Sequence, residues 1–245
     1  MFCDTHCHIL SEYYDDINAI LEESKEAGVS RVINAGYNYE SSKEVIELVK
    51  KYPEMYGAVG LYPENIDEKF DYGIFDNLDK KIVGIGEIGL DYHYTKDNKN
   101  KQIEVFECQL DIAEKLNLPV VIHSRDAAGD TLEILKRHHN FGVIHSFSGS
   151  LEMAKEYIKL GFVLGVNGVV TFKNCNLKDT LKNIDINSII LETDSPYLTP
   201  VPFRGTQNNP GKMINTAKFV ADIYGISLEE LAKITNQNIK RIFDI

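Results

Sequence analysis

A short apolar, β-branched run followed by a stretch of helical periodicity recurs eight times along this 245-residue chain. That beat restricts the fold more than any single motif. Strands joined through helices lie parallel, and a parallel sheet has to be covered on both faces. The predicted strands are Phe2 to Cys7, Arg31 to Ala35, Tyr56 to Gly60, Ile82 to Glu87, Pro119 to His123, Gly142 to Ser146, Phe162 to Val166 and Ser188 to Glu192. Runs such as Val120-Val121-Ile122 and Ile189-Ile190-Leu191 are apolar throughout, the pattern of a strand buried on both sides.

The clearest helix is Lys101 to Leu116, where Ile103, Phe106, Leu110 and Ala113 recur at spacings of three and four. Others are predicted over Asp15 to Ala27, Ser41 to Lys51, Asp126 to His138, Leu151 to Leu160 and Asn176 to Lys182. Gly28 and Gly161 follow helix ends, where a left-handed residue is often needed. Two more helices fill the tail, Asn215 to Ile223 and Ser227 to Phe243, the second with Glu230 three residues after Ser227 in a capping-box pattern. Only the crossover from Asp67 to Lys80, around Gly73, shows little periodicity. With no low-complexity seam, the chain reads as one α/β domain over residues 1–245, a (β/α)8 TIM barrel with extra C-terminal helices.

Twenty-six basic against 37 acidic side chains give a net charge of −11, which excludes a broad phosphate-binding face. Acidity limits footprint rather than chemistry, because a few arginines in one pocket, or bound dications, can still hold a single phosphodiester. No run of about 18 apolar residues predicts a spanning helix. The opening residues carry no basic and apolar leader pattern, which points to the cytoplasm, and neither a membrane nor an obligate protein partner is indicated. Cys3, Cys7, Cys108 and Cys175 form no C-x-x-C pair and read as reduced thiols.

Barrel chemistry sits at the carboxyl ends of the strands. His6 and His8 end the first predicted strand, and at i and i+2 they share a face while Cys3 and Cys7 alternate away, to pack under helices. Glu87 ends the fourth strand, His123 the fifth, His145 the sixth and Asp194 the eighth. Each has an ordinary structural reading alone; their joint placement on one rim points to a metal centre.

These residues sit in a series of motifs: the opening D-T-H-C-H, the G-E-I-G-L-D-Y segment, F-x-x-Q-L at Phe106 to Leu110, and L-P-V-V-I-H-S-R-D-A from Leu118. The series continues through H-S-F-S-G from His145, E-T-D-S-P-Y-L from Glu192, Arg204-Gly205 and Asn209-Pro210. Taken together the motifs resemble the TatD family of metal-dependent hydrolases, and the likeness spans the chain. It implies two divalent cations, with His6, His8 and Asp194 holding one, His123 and His145 the other, and Glu87 bridging. Four imidazoles and two carboxylates suit Zn²⁺, Mn²⁺ or a similar ion better than a pure Mg²⁺ site, which is usually oxygen-rich. Asp194 can accept a proton from water while remaining a ligand.

Arg125 and Arg204 are candidates to fork onto a phosphate oxygen, with a salt bridge to Asp126 or another acid as the alternative. Asn208 and Asn209 read either as turn formers before Pro210 or as residues that orient a phosphate, His93 as an exposed loop residue or a support to the site, and His138 and His139 as a solvated helix end. One departure stands out. Many TatD-like proteins carry G-x-H-P-H after the third strand, and this chain has Gly60-Leu61-Tyr62-Pro63-Glu64. Tyr62 can donate a hydrogen bond and Glu64 can act as an acid or base, but an imidazole relay is lost there.

The expected activity is hydrolysis of phosphodiester bonds in DNA, from single-stranded or 3′ ends, by a binuclear centre of Zn²⁺, Mn²⁺ or Mg²⁺. Tyr62 and Glu64 motivate the alternative of an ester or amide hydrolase, such as one acting on D-aminoacyl-tRNA. A third possibility is an idle barrel that holds metal only for stability.

Overall fold

Eight strands in sequential order form one sheet in the computed structural model, which describes residues 1–93 and 97–245. They are β1 (Phe2–Cys7), β2 (Val29–Ala35), β3 (Met55–Val59), β4 (Ile82–Asp91), β5 (Val120–Arg125), β6 (Gly142–Ile144), β7 (Val163–Val166) and β8 (Ile189–Leu191). Every neighbouring pair is parallel. The seam between β8 and β1 closes just beyond β8. Asp194 N donates to His6 O at 2.9 Å, His8 N to Ser195 O at 2.7 Å, and Cys7 bridges Ser195. Three of the expected metal ligands therefore sit on the stitch that shuts the barrel.

Helices α1 (Ile17–Glu26), α2 (Tyr39–Lys51), α3 (Lys99–Leu116), α4 (Ala128–Leu135), α5 (Leu151–Lys159), α6 (Leu177–Leu181), α7 (Met213–Tyr224) and α8 (Leu228–Phe243) surround the sheet. Their ends follow local chemistry. Asp16 caps α1 by accepting from Ala19 N, and Ser227 caps α8 by accepting from Glu230 N at 3.1 Å. The third crossover departs from the eightfold pattern: among the described residues it contains only short 3₁₀ turns, Pro63–Asn65 and Tyr72–Phe75. Its apolar residues still dock: Phe75 is buried in the core, and Phe70, Tyr72, Ile74 and Leu78 pack against it. No helix among the described residues is long and apolar enough to cross a membrane.

Two apolar layers result. The larger, with Ile85, Phe106, Ile122 and Leu164, lies between strands and helices. Each fully buried side chain of this size contributes roughly 1.5–3 kcal/mol of transfer free energy. The smaller joins Cys3, Val121, Val143, Val163 and Ile190 to Ile239, Ile242 and Phe243 of α8. Val121, Val143 and Ile190 stand two residues before His123, His145 and Glu192, so this layer is the floor beneath the polar rim. Cys7 packs in the outer layer, as alternation predicts, but Cys3 belongs to the inner one. Register shifts between Phe2 and Cys3 and between Asp4 and Cys7 interrupt the strict two-residue period.

Candidate metal centre

The six residues expected to hold metal converge at one point above that floor. His6 and His8 leave β1 with their Nε2 atoms 3.2 Å apart, while Cys7 between them donates from Sγ to Ile33 O. His8 Nδ1 lies 2.8 Å from Ala35 O, the geometry of an Nδ1–H donor that leaves the Nε2 lone pair facing the centre. Below them, the Asp4 carboxylate accepts from His6 N, Thr193 N and Thr193 Oγ1, tying β1 to the exit of β8. Burial pushes the Asp4 carboxyl up to about 8, against the opposing pull of those hydrogen bonds.

Glu87 divides its two oxygens between two histidine pairs. Oε2 lies 3.4 Å from His6 Nε2 and 3.6 Å from His8 Nε2. Oε1 lies 3.0 Å from His123 Nδ1 and 3.7 Å from His145 Nε2. Asp194 Oδ1 is 3.6 Å from the Nε2 atoms of His6, His8 and His145 alike. His6–His8–Glu87, His6–His145–Asp194 and Glu87–His123–His145 are thus three overlapping groups whose donor atoms lie within 4.8 Å of one another. Glu87 belongs to two of these groups, and Asp194 reaches toward His145 as well as toward the β1 pair.

The electrostatics fit a cation. Burial would raise the Glu87 carboxyl, but His145 and His6 outweigh it and hold the group well below the usual carboxylate range. Burial drives His6 down and favours its neutral, ligating form. Burial also opposes charge on His145, yet Glu192, Asp194 and Glu87 bring it up to about 10, a measure of the negative potential that a divalent ion would satisfy. The donor set of imidazoles and carboxylates suits Zn²⁺, Mn²⁺ or a similar ion.

Two supporting carboxylates are absent from the sequence-based expectation. Glu192 Oε1 accepts from Ser146 N at 2.7 Å and lies 3.0 Å from His145 Nδ1. Asp91 Oδ2 lies 3.0 Å from His123 Nε2, and Tyr62 Oη lies 3.1 Å from the same nitrogen. Such partners orient ligating imidazoles. Sequence proximity was the available signal: Asp91 stands four residues beyond Glu87 in β4, and Glu192 two before Asp194 in the segment that follows β8. Room for Glu192 comes from Gly165, where an added Cβ would stand 2.2 Å from Glu192 Oε2.

The centre opens into a cleft of about 670 Å³, whose lining includes Tyr62, Glu64 and Arg125 beside His8, Glu87 and Asp194. Burial and the neighbouring Asp91 raise the Glu64 carboxyl, against His123 and Arg125. Arg204 is not brought to this cleft. Its guanidinium stacks 3.8 Å over the Phe172 ring. Asn208 Nδ2 donates to Thr193 O and Tyr197 O, and Asn209 caps the 3₁₀ turn Pro210–Lys212, so both serve the loop as turn formers. His93 is exposed, faces Asp126 at 2.9 Å and donates from its backbone N to Asp91 at 2.8 Å, and His138 lies against Asp111 and Glu107; neither lines the cleft.

The family model for TatD related DNase matches residues 3–244. The chain belongs to the TatD family. Among its relatives in that family, YabD of Bacillus subtilis, named an uncharacterized metal-dependent hydrolase, is 39% identical, covering 100% of both chains. YcfH of Escherichia coli, with the same description, is 33% identical over 99% of this chain and 95% of the relative. The crystal structure of the E. coli TatD homologue YjjV superposes with a TM-score of 0.92 at 29% identity, covering 100% of this chain and 98% of the other. Within this TatD-family chain, Tyr62 puts a phenol against His123, and Glu64 stands beside it on the cleft wall.

Proposed function

We propose that this TatD-family hydrolase cleaves phosphodiester bonds of DNA, working from single-stranded or 3′ ends, with two divalent cations held by His6, His8, Glu87, His123, His145 and Asp194. The observation that carries the reading is Glu87, which faces one histidine pair with each oxygen on the floor of an open cleft. A structural metal site is closed by its ligands, whereas an open one leaves a place for substrate.

Divalent cations bound there would supply Lewis acidity and a water of lowered pKa. Asp194, which burial would raise but His145 and His8 hold below the ordinary range, is ionised and able to take the proton of the attacking water. Arg125, at the carboxyl end of β5 and on the cleft wall, forks onto a non-bridging phosphate oxygen. Tyr62, kept protonated by burial and by Glu87 and Asp91, offers a hydrogen bond near His123, and Glu64 offers an acid to the departing oxygen.

Tyr62 and Glu64 also favour a second reading, in which the same cations serve ester hydrolysis on D-aminoacyl-tRNA. Both substrates are to be offered to the purified protein with added Mg²⁺, Mn²⁺ or Zn²⁺. The expected result is shortening of single-stranded DNA that a chelator abolishes. Release of amino acid without DNA cleavage would move the assignment to the ester. Neither reaction, with chelation lowering only the melting temperature, would leave a metal-stabilised binding barrel.

A further inference from the structure

We infer that Tyr13, Tyr37 and Tyr197 form a stacking subsite for the base of the nucleotide next to the scissile phosphate. The inference rests on the phosphodiester reading and adds a recognition element to it. The three rings come from the loops after β1, β2 and β8, and all line the cleft that holds the metal centre. In the ring of eight strands, β8, β1 and β2 are neighbours around the side opposite β5, which carries Arg125. A phosphate between the ligands and Arg125 therefore leaves its flanking nucleoside room on the tyrosine side.

The rings are held as a unit. Tyr197 Oη donates to Tyr13 Oη at 3.1 Å, Tyr13 Oη to Tyr37 Oη at 3.4 Å, and Tyr37 Oη to the Glu12 carboxylate. Tyr13 and Tyr197 meet edge to face with centroids 5.9 Å apart, and Tyr37 stands edge to face with His8 at 5.8 Å. The backbone of Tyr197 is fixed as well. Its N donates to Asp194 O at 2.9 Å, and its O accepts from the buried Asn208 at 2.6 Å. Yet the Tyr197 side of this assembly is open, with the residue 51% exposed. An aromatic ring locked by its hydroxyl and left uncovered beside a reactive centre is preorganised to receive a flat partner.

Charge argues that the flat partner is a base. The chain carries −11, and of its arginines Arg125 alone lines the cleft among the described residues. Arg31 is held by Asn236, Arg137 by Glu107, Arg241 by Asn187 O, and Arg204 stacks on Phe172. Phosphate contacts are therefore too few to hold a strand, and stacking, which is indifferent to sequence because every base has a π-face, supplies the missing grip.

The test uses the metal-loaded enzyme, a single-stranded oligodeoxynucleotide, and a matched one whose three terminal nucleotides at each end are abasic. Wild type is expected to lose about tenfold in kcat/KM on the abasic substrate. Tyr197→Ala is expected to lose a similar factor on the normal substrate, Tyr197→Phe to recover most of it, and the alanine and abasic losses not to multiply. Equal cleavage of both substrates by wild type would overturn the subsite while leaving the phosphodiester reading intact. Multiplying losses would give Tyr197 a merely structural part and overturn the subsite too. A wild type that cuts neither substrate overturns the phosphodiester reading, and the subsite with it.

Discussion

Glu87→Ala is expected to lower hydrolysis by roughly 10³-fold or more while the protein remains folded. The magnitude follows from the position of the residue. One of its oxygens faces the His6–His8 pair and the other the His123–His145 pair. Removing them takes the anionic donor from two of the three overlapping groups at once and leaves Asp194 as the carboxylate facing the imidazoles. Glu87→Gln keeps the volume and one acceptor oxygen but not the charge, so it should fall nearly as far. Steady-state rates on single-stranded DNA, with bound metal quantified in the same samples, measure both effects. Activity within tenfold of wild type would show that the Glu87 carboxylate is not needed.

Gly89→Ala should cost about 3 kcal/mol or more of stability, combining a backbone clash with a strained conformation. Gly89 has φ +142°, a region that side-chain-bearing residues rarely adopt, and an added Cβ would stand 2.0 Å from His123 O. The two residues are also partners in the β4–β5 ladder. The obstacle is backbone rather than the tip of a flexible side chain, so it cannot step aside without moving the strand that carries His123. For a chain of this length the melting temperature should drop by roughly 6–12 °C. A thermal melt within about 2 °C of wild type would contradict this explanation of the second glycine in G-E-I-G-L-D.

Much of the barrel and its polar rim is legible in the chain because two periodicities coincide. Parallel strands buried on both faces read as apolar runs, and the residue that ends each run is the one delivered to the rim. His123 after Val120-Val121-Ile122 and Asp194 shortly after Ile189-Ile190-Leu191 follow that rule. What escapes is whatever depends on registration between strands. The shifts in β1 that turn Cys3 inward are a property of its pairing with β2, not of its own sequence. Glu192 beside Gly165 pairs residues from β7 and the end of β8, and only the folded sheet brings them together. Arg204 shows the converse: a side chain suited to phosphate is taken up by Phe172, a partner 32 residues away in sequence. Tyr13, Tyr37 and Tyr197 lie on three separate loops, and nothing in the spacing of the tyrosines says that their hydroxyls meet.

The most direct measurement is a titration of metal-depleted protein with Mn²⁺, following bound metal and cleavage of single-stranded DNA in the same samples. Cleavage should be absent from the depleted protein and should return with the second equivalent per chain, since Glu87 serves both histidine pairs. Full cleavage by the depleted protein, or full cleavage once a single equivalent is bound with no further metal taken up, would contradict a hydrolase built on a shared two-cation centre.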